Sequence, residues 1–390
     1  MKNITNKEKC CGCMACVNIC PKGAINIKVN KEGFSYPEID EDKCIECGLC
    51  KNTCPANQYA PKINTPKAYA AYSLDNKIRL NSSSGGVFAF LAMHILSLSG
   101  SVYGVTIIDN EAKHIKITNE NGLKQIMGSK YVQSDTENTY KQVKQDILDE
   151  KHVLFSGTPC QIAGLYNYLS NFKTLNMNLL YTVEVVCHGV PSPKVFKKYI
   201  SEKENKYGSN VQNINFRDKT RGWENYNINI QFKNKKKYTK KFNEDIYMRT
   251  FLKDIALRYS CYDCNFNGLN RVADITLGDY WGVQYKYKHL ADNKGISLVL
   301  VNSNQGGKIL ENIKSKIYIE STDLDYAIQN NPCIIKSVPL NKNRHNFFND
   351  LDTMSLDMLQ DKYYKYEKVK TNYFKEFLHK IKRKYISLKR

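Results

Sequence analysis

The sequence predicts a mixed α/β protein of α+β type: a small cysteine-dense N-terminal unit, a larger domain built on a mixed sheet, and a basic helix at the C-terminus. Three observations predict it. Cysteines crowd residues 10–54 in two runs of identical spacing; beyond Lys67 short β-branched runs alternate with helical stretches; and after Phe374 apolar residues recur at helical steps among lysines and arginines.

Cys10, Cys13, Cys16 and Cys20 stand at C-x2-C-x2-C-x3-C-P, and Cys44, Cys47, Cys50 and Cys54 repeat that spacing, with Pro21 and Pro55 closing each run. A cubane needs four thiolates converging on its corner irons, and three closely spaced cysteines supply three of them from one loop. The pattern predicts two 4Fe-4S clusters. Zinc sites favour paired C-x2-C elements, and disulfides need an oxidising compartment that nothing in the chain implies. In the two-cluster ferredoxins that this stretch resembles, the fourth cysteine of each run ligates the other run's cluster. That resemblance implies Cys10, Cys13, Cys16 and Cys54 for one cluster, and Cys44, Cys47, Cys50 and Cys20 for the other. Between the runs, Ala24 to Val29 and Gly33 to Ile39 read as a hairpin. The unit is expected over 1–58, with a polar, proline-containing linker from Asn57 to Pro66.

The 390 residues, 42% of them hydrophobic, are enough for a large core and more than one domain. No charged segment followed by an apolar one opens the chain, so no secretory signal is expected. The apolar stretch Val87 to Leu98 is too short to span a bilayer and contains His94. These features, with 14 cysteines to be kept reduced, predict a cytoplasmic protein. The net charge of +20 is unevenly spread: residues 1–60 hold eight lysines against seven acids, whereas from Lys362 onward eleven Lys or Arg face two Glu. Lysine abundance of this kind speaks to association, and no nucleic-acid partner is expected.

The main domain is expected over 67–340. Ser82 to Gly86 precedes an apolar helix that Gly100 stops. Val102 to Ile108, Val153 to Ser156, Leu179 to Val186 and Leu298 to Asn302 read as buried strands, with helices at Glu137 to Leu148 and Gln161 to Leu169. Tyr226, Ile228, Ile230 and Phe232 alternate with polar residues, a half-exposed strand that ends in the lysine run Lys233 to Lys241. Residues 341–390 are expected as a basic helical tail, with Phe374, Phe377, Leu378, Ile381, Tyr385 and Leu388 on one face. It would pack on the protein itself or contact a partner or a membrane surface.

Four further cysteines sit in turn-like contexts: Cys160 in Gly157-Thr158-Pro159-Cys160-Gln161, Cys187 in Cys187-His188-Gly189, and the pair Cys261 and Cys264. They could converge on a third 4Fe-4S cluster or be buried structural thiols. Cys11 and Cys333 have no such surroundings and read as ordinary residues. The Ser83-Ser84-Gly85-Gly86 turn offers a helix N-terminus to a phosphate, or a plain N-cap at Ser84. The absence of G-x-G-x-x-G speaks against a Rossmann NAD site.

Taken together, Ser83-Ser84-Gly85-Gly86, Gly157-Thr158-Pro159-Cys160-Gln161, Cys187-His188-Gly189, Phe216-Arg217-Asp218-Lys219, Cys261-x2-Cys264 and Gly278-Asp279-Tyr280-Trp281-Gly282 closely resemble the beta subunit family of coenzyme F-420 hydrogenases and dehydrogenases. The resemblance runs from about Lys67 to past Gly307. It implies FAD, 4Fe-4S clusters including one on Cys160, Cys187, Cys261 and Cys264, and oxidoreductase chemistry that passes electrons between clusters and a soluble hydride carrier or partner redox protein. By the same resemblance Ser83, Ser84, Gly85, Gly86, Lys130, Gly157, Thr158, Arg217 and Lys219 are candidate cofactor contacts, and His188, Lys130 and Asp279 candidate catalytic groups. The alternative expectation is a non-enzymatic electron-transfer subunit of a larger redox complex or of a polysaccharide-biosynthesis system.

Overall fold

The computed structural model describes residues 3–59 and 65–365. In the N-terminal unit two short helices, Ala15–Ile19 and Leu49–Thr53, each leave a cysteine loop through a left-handed residue, Met14 at φ 60° and Gly48 at φ 76°. Each loop thereby turns back on itself and gathers its cysteines. Between them β1 (Ile25–Val29) and β2 (Ser35–Ile39) pair antiparallel, with Ile25 opposite Ile39, as the expected hairpin.

The body is built on β3 (Lys67–Ser73), β4 (Ser101–Ile108), β5 (Glu111–Ile117), β6 (Val153–Gly157), β7 (Leu180–Val185), β8 (Val211–Asp218), β9 (Asn227–Phe232), β10 (Lys237–Lys241), β11 (Ile275–Asp279), β12 (Ser297–Val301) and β13 (Ile317–Ser321). Among the described residues the large sheet has eight strands in the order β13-β3-β12-β11-β7-β6-β4-β5. Its centre is parallel, with β4 beside β6, β6 beside β7 and β7 beside β11. The carboxyl ends of these strands therefore share one edge, where α/β sheets commonly bind ligands.

The strand pattern sorts residues to two faces by its period of two. Val102, Leu154, Val183 and Val299 face the Val87–Ser97 and Asn304–Asn312 helices. Tyr103, Val153, Phe155 and Leu180 face the Thr139–Leu148 and Pro159–Leu169 helices. Aliphatic and aromatic side chains thus fill both sides of a sheet that is covered on both faces.

A three-stranded sheet, β10-β9-β8, packs with the Pro193–Tyr207 and Ile246–Leu252 helices in another core. Ile228, Ile230 and Phe232 are buried there, while Asn229 donates to Asp218 at 2.9 Å. The stretch after 341 is not a tail over its first part. The Arg344–Asp350 and Leu356–Tyr363 helices enter this core through Phe347, Phe348, Leu351, Leu356 and Leu359, because those five apolar side chains lose water contact only there. The basic helical segment expected after Phe374 lies outside the described residues.

The N-terminal unit is seated on the body. Phe34 is fully buried and meets the Phe348 ring at 6.4 Å. Glu32 takes a forked contact from Arg344 at 2.7 and 2.5 Å, and Arg344 also donates to the Leu257 carbonyl. Gly33 has φ +85°, and a Cβ there would fall 2.8 Å from the Lys194 backbone nitrogen, so only glycine allows this approach. Among the described residues no helix is long and apolar enough to cross a membrane.

Candidate functional site

The two N-terminal runs fold into two groups of thiols. Cys20, from the first run, lines one cavity with Cys44, Cys47 and Cys50. Cys54, from the second, sits with Cys10, Cys13 and Cys16 and interacts with each of them electrostatically. This is the crosswise grouping that the likeness to ferredoxins implies. Cys10, Cys13, Cys16 and Cys54 are buried, Cys10 and Cys13 against the body, whereas Cys47 is exposed at the surface near exposed Ile45.

Three separate segments bring Cys160, Cys187, Cys261 and Cys264 to another cavity, at the carboxyl edge of β6 and β7. Thr158 caps the Pro159–Leu169 helix in a capping box with Gln161, and this turn presents Cys160. Backbone donors serve these sulfurs: Val190 N–H reaches Cys261 Sγ at 3.5 Å, Phe266 N–H reaches Cys264 Sγ at 3.4 Å and Gly189 N–H serves Cys187, while Thr158 Oγ1 lies 3.2 Å from Cys160 Sγ. Donors of this kind favour a thiolate. Burial pushes Cys261 up to about 12 and Cys264 up to about 11, and Cys187 well above its ordinary value. Bare thiolates would be costly here, so the cavity suits sulfurs whose charge is offset by bound iron. Arg271, paired with Glu184, and Lys9, paired with Asp263, line the same cavity. Among the described residues no three His, Cys, Asp or Glu converge tightly enough to hold one metal ion. Around a single zinc, bonds of about 2.3 Å would draw thiolates to about 3.8 Å of one another.

Cys11 and Cys333, which the sequence leaves as ordinary residues, both line this cavity. Cys333 Sγ lies 3.3 Å from His188 Nδ1, and His188 Nε2 lies 2.5 Å from Asp254 Oδ1. Burial lowers the imidazole pKa, but Asp254 and Cys333 outweigh it and raise it to about 9. His188 is therefore held by the cavity wall, apart from the other candidate catalytic groups. Sequence proximity hides this arrangement, since residues 188, 254 and 333 meet only in the fold.

Apart from Gly157 and Thr158, the remaining candidates gather at the carboxyl ends of β3 and β11. Asp279 accepts from Arg217 Nη2 at 2.8 Å and from Trp223 Nε1 at 2.8 Å, and Trp223 stacks on Trp281 with centroids 4.9 Å apart. Arg217 also reaches the Ser83 carbonyl at 3.3 Å and covers the Tyr226 ring, while its buried Nε has no hydrogen-bond partner among the described residues. The Lys219 ammonium donates to the carbonyls of Arg79, Ser84 and Lys294. Ser83 Oγ accepts from Ser129 N–H at 2.7 Å. Lys130 instead turns its ammonium to the Gln125 and Met127 carbonyls. Burial pulls both lysines down to about 7. Gly157 and Thr158 belong to the Cys160 turn.

The two glycines of the turn are needed by the protein's own packing. Gly85 donates its N–H to Ser297 Oγ at 3.0 Å, and a Cβ on it would stand 2.3 Å from the Ala71 carbonyl oxygen. Gly86, at φ 91°, is the N-cap of the Val87–Ser97 helix in place of Ser84, and that helix start has no side-chain cap. Arg79, which no sequence motif marks, is buried here, forked onto Asp292 at 2.6 and 2.8 Å.

A double cysteine module seated on a mixed sheet, with further cysteines at the sheet's carboxyl edge, defines an iron-sulfur electron-transfer protein. Residues 9–58 match the 4Fe-4S dicluster domain, and residues 150–327 match the family described as the C terminus of the coenzyme F-420 hydrogenase/dehydrogenase beta subunit. The chain therefore carries a region matching that family's model after one matching a dicluster module. Among solved structures, a chain from the F-420-reducing NiFe hydrogenase complex of Methanosarcina barkeri superposes with a TM-score of 0.50 at 16% identity, covering 73% of this chain and 91% of that one. At that identity the likeness concerns the fold. No curated protein matches the sequence.

Proposed function

We propose that the chain is an iron-sulfur flavoprotein oxidoreductase that passes electrons between 4Fe-4S clusters and FAD, onward to or from a soluble two-electron carrier or a partner redox protein. One observation carries the reading: Cys160, Cys187, Cys261 and Cys264 line a single cavity against the loop that holds the first N-terminal thiol group. Four thiols from three segments fit a third cubane. A flavin exchanges electrons singly or in pairs, which is the chemistry it would supply.

For FAD, support comes from the uncapped start of the Val87–Ser97 helix and from Arg79, Arg217 and Lys219 beside it. Ser83, Ser84, Gly85 and Gly86 would present that turn, and the unpartnered Arg217 Nε would meet an anionic or carbonyl group. His188, Lys130 and Asp279 stay candidate catalytic groups with no step assigned to them; like Arg79, Arg217 and Lys219, each is engaged by neighbouring protein atoms. The exposed Cys47 edge favours a second function, electron exchange with a partner redox protein as one subunit of a larger complex.

Protein purified without oxygen tests this by iron and flavin analysis. The expected result is about twelve irons, four per cubane, and one FAD per chain. Arg217→Met should lose flavin and retain iron. Eight irons with no flavin in folded protein would leave only the electron-transfer role.

A further inference from the structure

Cys11 follows the ligand Cys10 directly, but the C-x2-C-x2-C spacing leaves it outside the first ligand set. Its orientation comes from the residues around it. Gly12 has φ +70°, and a Cβ there would lie 2.6 Å from Gln133 Nε2 and 2.8 Å from Arg258 Nη1, so glycine alone permits the turn. The Cys11 carbonyl accepts from Gln133 Nε2 at 3.0 Å, and the Cys13 carbonyl accepts from Thr136 Oγ1 at 3.1 Å. The loop is thus pinned to the body on both sides of the turn. The Cys11 thiol is buried, interacts with both Cys13 and Cys160, and lines the cavity of Cys160, Cys187, Cys261 and Cys264.

We infer that Cys11 is a non-ligand thiol that couples the first N-terminal cluster to the cluster held by Cys160, Cys187, Cys261 and Cys264, filling the gap between ligand sulfurs and donating its S–H to one of them. The inference rests on the third cluster of the proposed function. A thiol is a weak donor, and hydrogen bonds to cluster sulfurs help set reduction potentials. With both clusters bound, the step served would be transfer of one electron between them; Cys11 would form and break no bond and would remain a thiol. With Cys47 at the surface and Cys13 against Cys11, the second cluster is the outer port and the first the inner relay.

Cys11→Ala and Cys11→Ser in the full-length protein, purified without oxygen, test this by iron analysis and potentiometric titration followed by electron paramagnetic resonance. Both variants should keep the parent's iron. Cys11→Ala should move the midpoint of the first or third cluster to more negative potential, and Cys11→Ser, which restores a donor, should return it toward the parent. Loss of about four irons in Cys11→Ala would make it a ligand and overturn the inference. Unchanged midpoints would reduce it to packing and overturn it equally. A parent with eight irons would sink the third cluster itself, and this is read before any variant is made.

Discussion

Replacing Arg258 by methionine should unseat the N-terminal unit. Arg258 is fully buried and donates to the Cys10 carbonyl at 2.6 Å, the Ser35 carbonyl at 3.0 Å and Gln133 Oε1 at 3.0 Å, with its plane over the Tyr36 ring at 4.3 Å. Methionine keeps much of the stem's volume but leaves three oxygens without donors where the surroundings exclude water. Each orphaned acceptor costs about 1–3 kcal/mol, and because the three share one site and relax together, the expected loss is about 3–6 kcal/mol. That is a large part of the roughly 5–15 kcal/mol that holds a domain folded. Denaturant unfolding of iron-loaded protein, followed by circular dichroism and by visible cluster absorption, reads the effect. In the parent both signals should fall together; in Arg258→Met the cluster signal should fall first. Arg258→Lys, which keeps the charge with fewer donors, should lie between. A methionine variant within about 0.5 kcal/mol of the parent, the range of an ordinary surface substitution, would refute the reasoning.

Cys54→Ser should remove the buried cluster and Cys20→Ser the surface one, each costing about four irons; loss of the same cluster in both would contradict the crosswise grouping. Gly164→Ala should also cost the buried cluster its iron, because its Cβ would stand 2.8 Å from Cys13 Sγ, and full iron in a folded variant would show that the helix can give way. His114 is buried and stacked on Phe155, and burial pulls its pKa from 6.5 to about 4. The folded state favours its neutral ring, so this contribution is complete above pH 6.5 and is lost as pH falls toward 4, amounting to about 3 kcal/mol. His114→Phe should flatten stability in that window, measured by thermal unfolding, and an unchanged slope would remove His114 as its source.

The eight N-terminal ligand positions were legible in the sequence because a cubane takes three thiolates from one loop, which leaves a short, rigid spacing. The hairpin, the apolar Val87–Ser97 helix and the buried strands were legible for a similar reason, since burial on one or both faces imposes a local period. The grouping of Cys160, Cys187, Cys261 and Cys264 was suggested by motif likeness, but only the tertiary structure assembles it: parallel β6 and β7 lead to Cys160 and Cys187, and the loop after the Ile246–Leu252 helix brings Cys261 and Cys264 beside them. Nothing local marks Cys11 as different from a spare thiol, or ties Cys333 to His188 and Asp254. Arg258 and Arg344 read as two more basic residues in a basic chain, yet each is buried and holds the N-terminal unit in place. Spacing records chemistry that one loop must perform by itself. Contacts between residues hundreds of positions apart depend on sheet order and on which cavities the packed helices leave open, and these were decided by the tertiary structure.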